Sequence, residues 1–243
     1  VNDSGQVAVA LALADGGELT LEPLLRTRGR LGLKNFDPCT ILLNNDLSDG
    51  VPKVLQGLHE QYLLPPLHAG WTVRRKSHHL RSYEEVAKKF AKLLGMDPWL
   101  INPMHALCGQ VDFRDSAGLD CVRGHVETLL AKIKRKYKEY GINERPFVVV
   151  KPDAGASGMG ILTVRDVKDV DAIVQAAGDV PQPGAVLVQE GVPTYERMND
   201  AVAEPVVYMI DRYVVGGFYR IHAERGIDEN LAAPGSAFVP LAF

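Results

Sequence analysis

Cysteine is scarce and poorly placed for a covalent framework. The 243 residues hold three, Cys39, Cys108 and Cys121. The number is odd, the spacing is wide and no C-x-x-C pair occurs. The set reads as reduced thiols of a cytoplasmic protein rather than a disulfide scaffold. Charge of one sign is also missing: the net charge of −3 gives no general affinity for nucleic acid. No apolar run approaches the length of a membrane span, and no signal peptide is visible, so no membrane partner is expected. Repeats and low-complexity stretches are absent. A hydrophobic content of 46% with 23% charged residues is ordinary for a globular protein of one or two domains. The chain opens on Val1 and stops inside the apolar run from Ala237 to Phe243, so further residues at both ends, and in internal loops, are expected.

Two familiar phosphate loops are missing as well. Residues 147–150 are Phe-Val-Val-Val, a short buried strand that ends on Lys151. A loop with Gly155, Ser157, Gly158 and Gly160 follows, then a second apolar strand over 161–164. The Walker pattern needs Gly-Lys-Ser/Thr entering a helix, but here Lys151 precedes the glycines. The dinucleotide fingerprint needs G-x-G-x-x-G before a helix, but here the order is G-x-x-G-x-G before a strand. Glycine amides can still close around phosphate oxygens, and a lysine at the strand tip adds a point charge. Strand, lysine, glycine loop, strand is the arrangement of ATP-grasp ligases. Without a ligand the same stretch is a glycine-rich hairpin, so the other segments must decide.

Upstream, residues 7–13 are apolar and Ala-rich, either strand or helix. Arg26, Arg28 and Arg30 form a solvated basic loop or, less favoured, an anion loop. Residues 40–43 read as a buried strand. Asn44, Asn45, Asp46 and Ser48 follow at its carboxyl end, where open α/β sheets bind ligands; the same residues also make plain turns and caps. Pro52 predicts a helix over 51–59. Residues 70–73 read as a strand, and a loop with Arg74, Arg75, Lys76, His78 and His79 follows. The three consecutive cations, Arg74, Arg75 and Lys76, suit an anionic substrate or a solvated charge run, and the two histidines, which lack metal-ligand spacing, are expected to face solvent. Ser82 and Glu85 form a capping box that predicts a helix to Leu94, with Val86, Phe90, Leu93 and Leu94 as its apolar face and Gly95 as its end. A second helix is predicted over 120–140, with Val122, Val126, Leu129, Leu130, Ile133 and Tyr137 as its stripe. Its basic end, Lys132 to Lys138, complements the helix dipole. Asp166 predicts a further helix reaching Gly178.

Residues 186–190 read as a buried strand ending in Gln189 and Glu190. Its end, with Val192, can offer backbone groups to an adenine edge, and Glu196 can hold ribose hydroxyls. Gly216 and Gly217 between β-rich runs predict a two-residue hairpin turn. In that register Asp211, Tyr213, Arg220 and His222 share one face. They suit a metal–phosphate site or a cross-strand ion pair. Asp228, Glu229 and Asn230 gather oxygen ligands of the kind Mg²⁺ prefers.

The chain order of these parts resembles ATP-grasp carboxylate–amine ligases. Five segments, 36–48, 70–77, 97–100, 147–164 and 230–243, resemble the proteobacterial glutamate–cysteine ligases of ATP-grasp type. Ala156-Ser157 stands where that family carries Thr-Tyr, and Ala232 where it carries asparagine. The resemblance implies an α/β (α+β), ATP-grasp-like fold. It divides into an N-terminal α/β and helical region, 1–143, and an ATP-grasp nucleotide-binding region, 144–243. It implies a cytoplasmic ligase using ATP and Mg²⁺ to join glutamate and cysteine through an acyl phosphate, in the first step of glutathione biosynthesis. Lys151 and Arg220 would be catalytic. Lys151, Gly155, Ser157, Gly158, Gly160, Gln189, Glu190, Val192 and Glu196 would bind ATP. Asp211, Glu229 and Asn230 would hold metal, and Asn44, Asn45, Asp46, Ser48, Arg74 and Arg75 the amino acids. Another ATP-grasp ligase, such as a glutathione synthetase or peptide ligase, is the nearest alternative. A nucleotide-binding domain without turnover is the alternative of another class.

Overall fold

The computed structural model describes residues 8–43, 47–48, 50–70, 73–113, 116–155, 161–171 and 184–241. The chain divides into two compact units, 1–74 and 75–243. The division expected at 143/144 is therefore not where the units part. Residues 75–143 fold together with 144–243, because the long helix of the former supplies the core for the strands of the latter.

The first unit is built from short strand pairs. β1 (Val9–Ala12) and β2 (Glu18–Leu21) form an exposed antiparallel hairpin, and β3 (Leu25–Thr27) pairs with β4 (Arg30–Gly32). β5 (Thr40–Leu42) runs parallel to β6 (Tyr62–Leu64). The expected burial of β5 is not found: Leu42 is 78% exposed. The expected helix over 51–59 is a single 3-10 turn, Lys53–Leu55, since Gln56 already returns to extended backbone. A small core of Leu31, Leu47 and Leu55 holds the unit. Arg26 and Arg30 are structural. Arg26 donates to the carbonyls of Lys53, Val54 and Gln56, and Arg30 pairs with Asp37 and Glu60.

In the second unit α1 (Lys76–Leu94) and β7 (His105–Val111) precede α2 (Ser116–Tyr140). β8 (Val148–Pro152), β9 (Leu162–Val164) and β10 (Gly184–Glu190) complete an antiparallel sheet in the order β7-β10-β8-β9. Val122, Val126, Leu129, Ile133 and Tyr137 of α2 pack on Val148, Val150, Val186 and Val188. The stripe predicted for this helix is thus the core seam, and the helix begins four residues earlier than predicted. Lys136 and Tyr140 tie its end to Asp97, at 2.5 and 2.9 Å.

α1 departs further from expectation. It begins at Lys76, so Lys76 to His79 are helical rather than loop, and Ser82 lies inside the helix rather than capping it. Its buried residues are Ser77, Leu80, Ala87 and Ala91. Val86, Phe90, Leu93 and Leu94, the predicted core face, are exposed. Gly95 does end the helix in left-handed backbone, φ 66°. Cys108 and Cys121 are disulfide-bonded across β7 and α2, with Cα atoms 6.2 Å apart, which corrects the expectation of three reduced thiols. Cys39 is free and exposed.

A second antiparallel sheet follows, β11 (Arg197–Met198), β12 (Ala201–Ile210), β13 (Tyr213–His222) and β14 (Ala237–Pro240), in that order. The hairpin turn is Asp211-Arg212, not Gly216-Gly217. Asp211 takes φ 54°, which aspartate tolerates better than most residues. The two glycines lie inside β13 opposite Tyr208 and Val207, next to a register shift after Tyr208. Glycine inside a strand marks such a bulge as readily as a turn. Asp166 is followed by the start of a helix at 169–171; the rest of the stretch predicted to reach Gly178 lies outside the described residues.

Ile133→Ala, at a fully buried position of α2, is expected to lower stability by about 2–5 kcal/mol. Leu93→Ala, on the outward face of α1 at 84% exposure, is expected to change it by less than about 0.5 kcal/mol. Urea denaturation followed by circular dichroism checks both. Equal losses would return the α1 stripe to the core.

Candidate active site

Side chains alternate along β8. Val148 and Val150 point to α2, while Val149 and Lys151 point to the opposite side of the sheet. Cross-strand partners share a side, so Leu187, Gln189 and Thr163 lie there too. Lys151 is half-buried one residue before the strand's end. Burial lowers its pKa from the ordinary value, and the positive charge of Lys76 lowers it further. Among the described residues no carboxylate pairs with it.

Lys76, from the first turn of α1, holds the chain where the glycine loop begins. Its Nζ donates to the carbonyls of Pro152, Ala154 and Gly155, at 2.9, 3.1 and 3.1 Å. Its pKa is lowered by burial, which outweighs the opposing pull of Asp153; Arg75 lowers it too. Asp153 completes the tie. Its buried carboxylate accepts from Ser77 N–H at 2.7 Å and from Ser77 Oγ at 2.9 Å, capping α1 from across the fold. Sequence reasoning offered Lys76 only as one of three cations suited to an anion, without its tie to the loop, and it missed Ser77 and Asp153. The motif after Lys151 held the signal for Asp153, but only the fold reveals its partner. Gly155 has φ 91°, a backbone that suits glycine. Ser157, Gly158 and Gly160 lie outside the described residues, as do Asn44, Asn45 and Asp46.

Thr163 Oγ1 donates to the carbonyl of Asp228 at 3.3 Å, and Arg165 pairs with the Asp228 carboxylate. The 228–230 segment is thereby fixed to the edge strand on the Lys151 side. Glu229 accepts from Gly226 N–H at 2.7 Å and pairs with Arg225 at 3.1 Å. The backbone bond to Gly226 leads in holding its pKa below the usual value. Asn230 Oδ1 accepts from Ala232 N–H at 3.1 Å. Both belong to a turn. His222 is buried. Its Nδ1 accepts from Glu224 N–H, so Nε2 carries the proton and donates to the carbonyl of Pro234 at 3.0 Å, steadying the same loop.

Asp211 does not join Arg220. It sits at the exposed hairpin tip, and the seven steps along β13 from Tyr213 to Arg220 span about 23 Å. Arg220 instead pairs across the ladder with Glu204, at 2.5 Å. Glu190 is also reassigned. Its side chain lies buried on the α2 side of the sheet, accepting from Trp99 Nε1 at 2.9 Å and Met104 N–H at 2.8 Å. Its backbone N–H bonds Met104, and that of Gly191 bonds Phe147. Val192 and Glu196, beyond the strand, are exposed, and Gln189 faces the Lys151 side. Arg75 is the N-cap residue of α1; Ser48 and Arg74 belong to the first unit.

The sequence profile of GshA, glutamate-cysteine ligase, matches residues 1–243. The chain belongs to the glutamate-cysteine ligase family. A crystal structure from Methylobacillus flagellatus KT, of a protein provisionally assigned as a gamma-glutamylcysteine synthetase, is 48% identical. It aligns with a TM-score of 0.85 over 99% of this chain. The chain spans 59% of the length of that structure's chain. D-alanyl-alanine synthetase A from Vibrio cholerae aligns at 13% identity with a TM-score of 0.42, over 96% of this chain and 62% of its own. That likeness is too slight to carry an argument. No curated protein matches. Membership in the family bears out the resemblance read from the motifs, and the mixed helix-and-sheet fold is the one expected. Among the described residues no helix is long and apolar enough to cross a membrane.

Burial raises the Glu190 pKa above the usual carboxylate value, and the bonds from Met104 and Trp99 only partly offset it. The unfolded chain then releases this proton at lower pH than the folded one. Stability contributed by the protonated group is present at acid pH and is lost as pH rises through the folded value. Wild type should therefore hold its greatest advantage over Glu190→Gln near pH 4 and lose part of it by pH 7. Urea midpoints at the two pH values check this; an advantage that grows with pH would mean that the hydrogen bonds outweigh burial.

Proposed function

We propose that this chain carries the nucleotide-binding part of an ATP-dependent ligase that joins glutamate, through its γ-carboxylate, to the amine of cysteine. One observation carries the reading. Two half-buried lysines, Lys151 and Lys76, stand together where the glycine loop begins, with no carboxylate on Lys151 among the described residues. A polyanion laid there relieves their mutual repulsion and restores both charges. Family membership supports glutamate and cysteine as the amino acids.

In this reading Lys151 neutralises phosphate oxygens, and the glycine loop cradles them with backbone amides. Lys76 keeps the loop's first carbonyls turned away from the anion by binding them itself. Gln189 and Val192 line the adenine end, and Glu196 takes the ribose. Arg75, beside Lys76, is proposed for a substrate carboxylate. Arg220, paired with Glu204, is proposed to move onto phosphate when it binds. The hard oxygens of Asp228, Glu229 and Asn230 fit Mg²⁺. Asp211, at the hairpin tip, does not belong to that set. The ion would supply neutralisation of the triphosphate.

The glutamate γ-carboxylate oxygen attacks the γ-phosphorus, ADP leaves, and an acyl phosphate forms. The cysteine amine attacks the acyl carbon, loses a proton, and expels phosphate. A carboxylate cannot approach a polyanion unless the repulsion is cancelled locally. A glutathione synthetase or peptide ligase would use the same nucleotide parts, and the family match favours glutamate and cysteine over these.

Lys151→Ala is expected to weaken ATP binding by about 1.5–3 kcal/mol, the value of one charge-assisted contact, while melting remains near wild type. Calorimetric titration reads this, and unchanged affinity would remove Lys151 from the phosphate site.

Glutamate labelled with ¹⁸O in its γ-carboxylate is expected to pass label to inorganic phosphate during turnover with cysteine. Mass spectrometry of the phosphate decides it. Unlabelled phosphate accompanying γ-glutamylcysteine would rule out the acyl phosphate, and turnover independent of both amino acids would rule out the ligase.

A further inference from the structure

Three side chains away from the loop form a cluster that the ligase reading does not use. Cys108 lies on β7, and Cys121 and His125 lie one turn apart on α2, so the last two share a helix face. Their ligand atoms all lie within 4.8 Å of one another. The positions grade from inside to outside. Cys108 is buried in the core, His125 is half-buried and Cys121 is exposed. The backbone here is held independently of the cluster. Val122 and Val126, the residues beside Cys121 and His125, are fully buried against the sheet, and β7 is paired to β10 from His105 to Cys108 and again at Val111.

We propose that Cys108, Cys121 and His125 form a binding site for a soft divalent cation of the zinc class, available when the bond between the two sulfurs is reduced. Two thiolates and an imidazole are ligands that such a cation takes and that magnesium and calcium do not. Two thiolates also cancel the charge of a divalent ion, so the pair sheds its negative charge without leaving the half-buried position. Three protein ligands leave the fourth tetrahedral position open, on the side where Cys121 meets solvent. Zinc–sulfur bonds of about 2.3 Å require the sulfurs to part from bonding contact, which the exposed Cys121 side chain can do by rotation while Cys108 stays in the core.

The two states exclude each other. With the sulfur–sulfur bond closed, neither sulfur is a thiolate. A small dithiol opens the bond by two successive exchanges and leaves as its own cyclic disulfide, so two electrons and two protons pass to the protein. Each cysteine then gives its proton to solvent as the cation binds. The cluster connects to the phosphate region through the sheet. Cys108 stands beside Val186, and Val186 beside Pro152, whose carbonyl Lys76 holds. The inference does not depend on the ligase reading, since metal binding is measured without substrates.

The test uses the whole chain, reduced with dithiothreitol, freed of it without air and titrated with Co²⁺. Tetrahedral cobalt with thiolate ligands gives near-ultraviolet charge-transfer bands and strong visible absorption, which colourless Zn²⁺ abolishes by displacement. One equivalent is expected to bind the reduced chain, and none to give these bands in the oxidised chain. Cys121→Ser and His125→Ala, both toward solvent, are expected to lose at least about tenfold in affinity, as even lesser changes around metal ligands do. Cys39→Ser is expected to bind as wild type. Absence of the bands in the reduced chain, or their persistence at full affinity in Cys121→Ser or His125→Ala, would overturn the site. The same bands in the oxidised chain would overturn its dependence on reduction.

Discussion

The arrangement rests on one tie between distant parts of the chain. The first turn of α1 meets the end of β8, and three groups make the joint. Lys76 Nζ takes three carbonyls, and Asp153 takes the backbone and hydroxyl of Ser77. The joint serves both sides. It supplies the helix with a carboxylate at its positive end, where a local cap is lacking. It also determines where the glycine loop leaves the sheet. Because the joint uses a lysine, it brings a second cation beside Lys151, and both are less ready to stay charged than exposed lysines. A site with its positive charge already assembled and partly desolvated needs less rearrangement when an anion enters.

What could be read from the sequence follows from how local each signal is. The α2 stripe was legible because its apolar residues recur at helical spacing and all of them pack on one sheet. The strand at 148–152 was legible too, though its apolar run concealed an alternation that places Lys151 opposite the core. α1 was misread because its larger apolar residues face outward, while it packs through Leu80, Ala87 and Ala91. Periodicity finds a stripe but does not say which stripe meets a neighbour. The hairpin was misread for a similar reason. Two adjacent glycines serve a bulge as well as a turn, and Asp211 supplied the positive φ instead.

Site residues divide along the same line. Lys151 and Gly155 stand in one motif and could be found by eye. Ser77, next to Lys76, and Asp153 stand 76 positions apart in the chain, and nothing local in either segment names the other. The acidic segment at 228–230 was found by composition, but its attachment to Thr163 and Arg165 is tertiary. Asp211 was placed in the site by an assumed hairpin register, and it left the site when the register changed.

Glu190 and Lys151 show how one sheet carries two kinds of buried charge. Both sit near the ends of adjacent central strands, both are driven toward neutrality by burial, and they point to opposite faces. On the helix side Glu190 is met by an indole and a backbone N–H, donors that were fixed when the core formed. Both of its donors belong to the fold itself. On the loop side Lys151 is met by another cation. An unmet charge in a half-buried position is costly in the free protein, and the fold has several nearby carboxylates that could have been turned to it. Asp153 goes to Ser77, Asp228 to Arg165 and Glu229 to Arg225. Among the described residues each of these acids has a partner of its own, and none of the three is paired with Lys151.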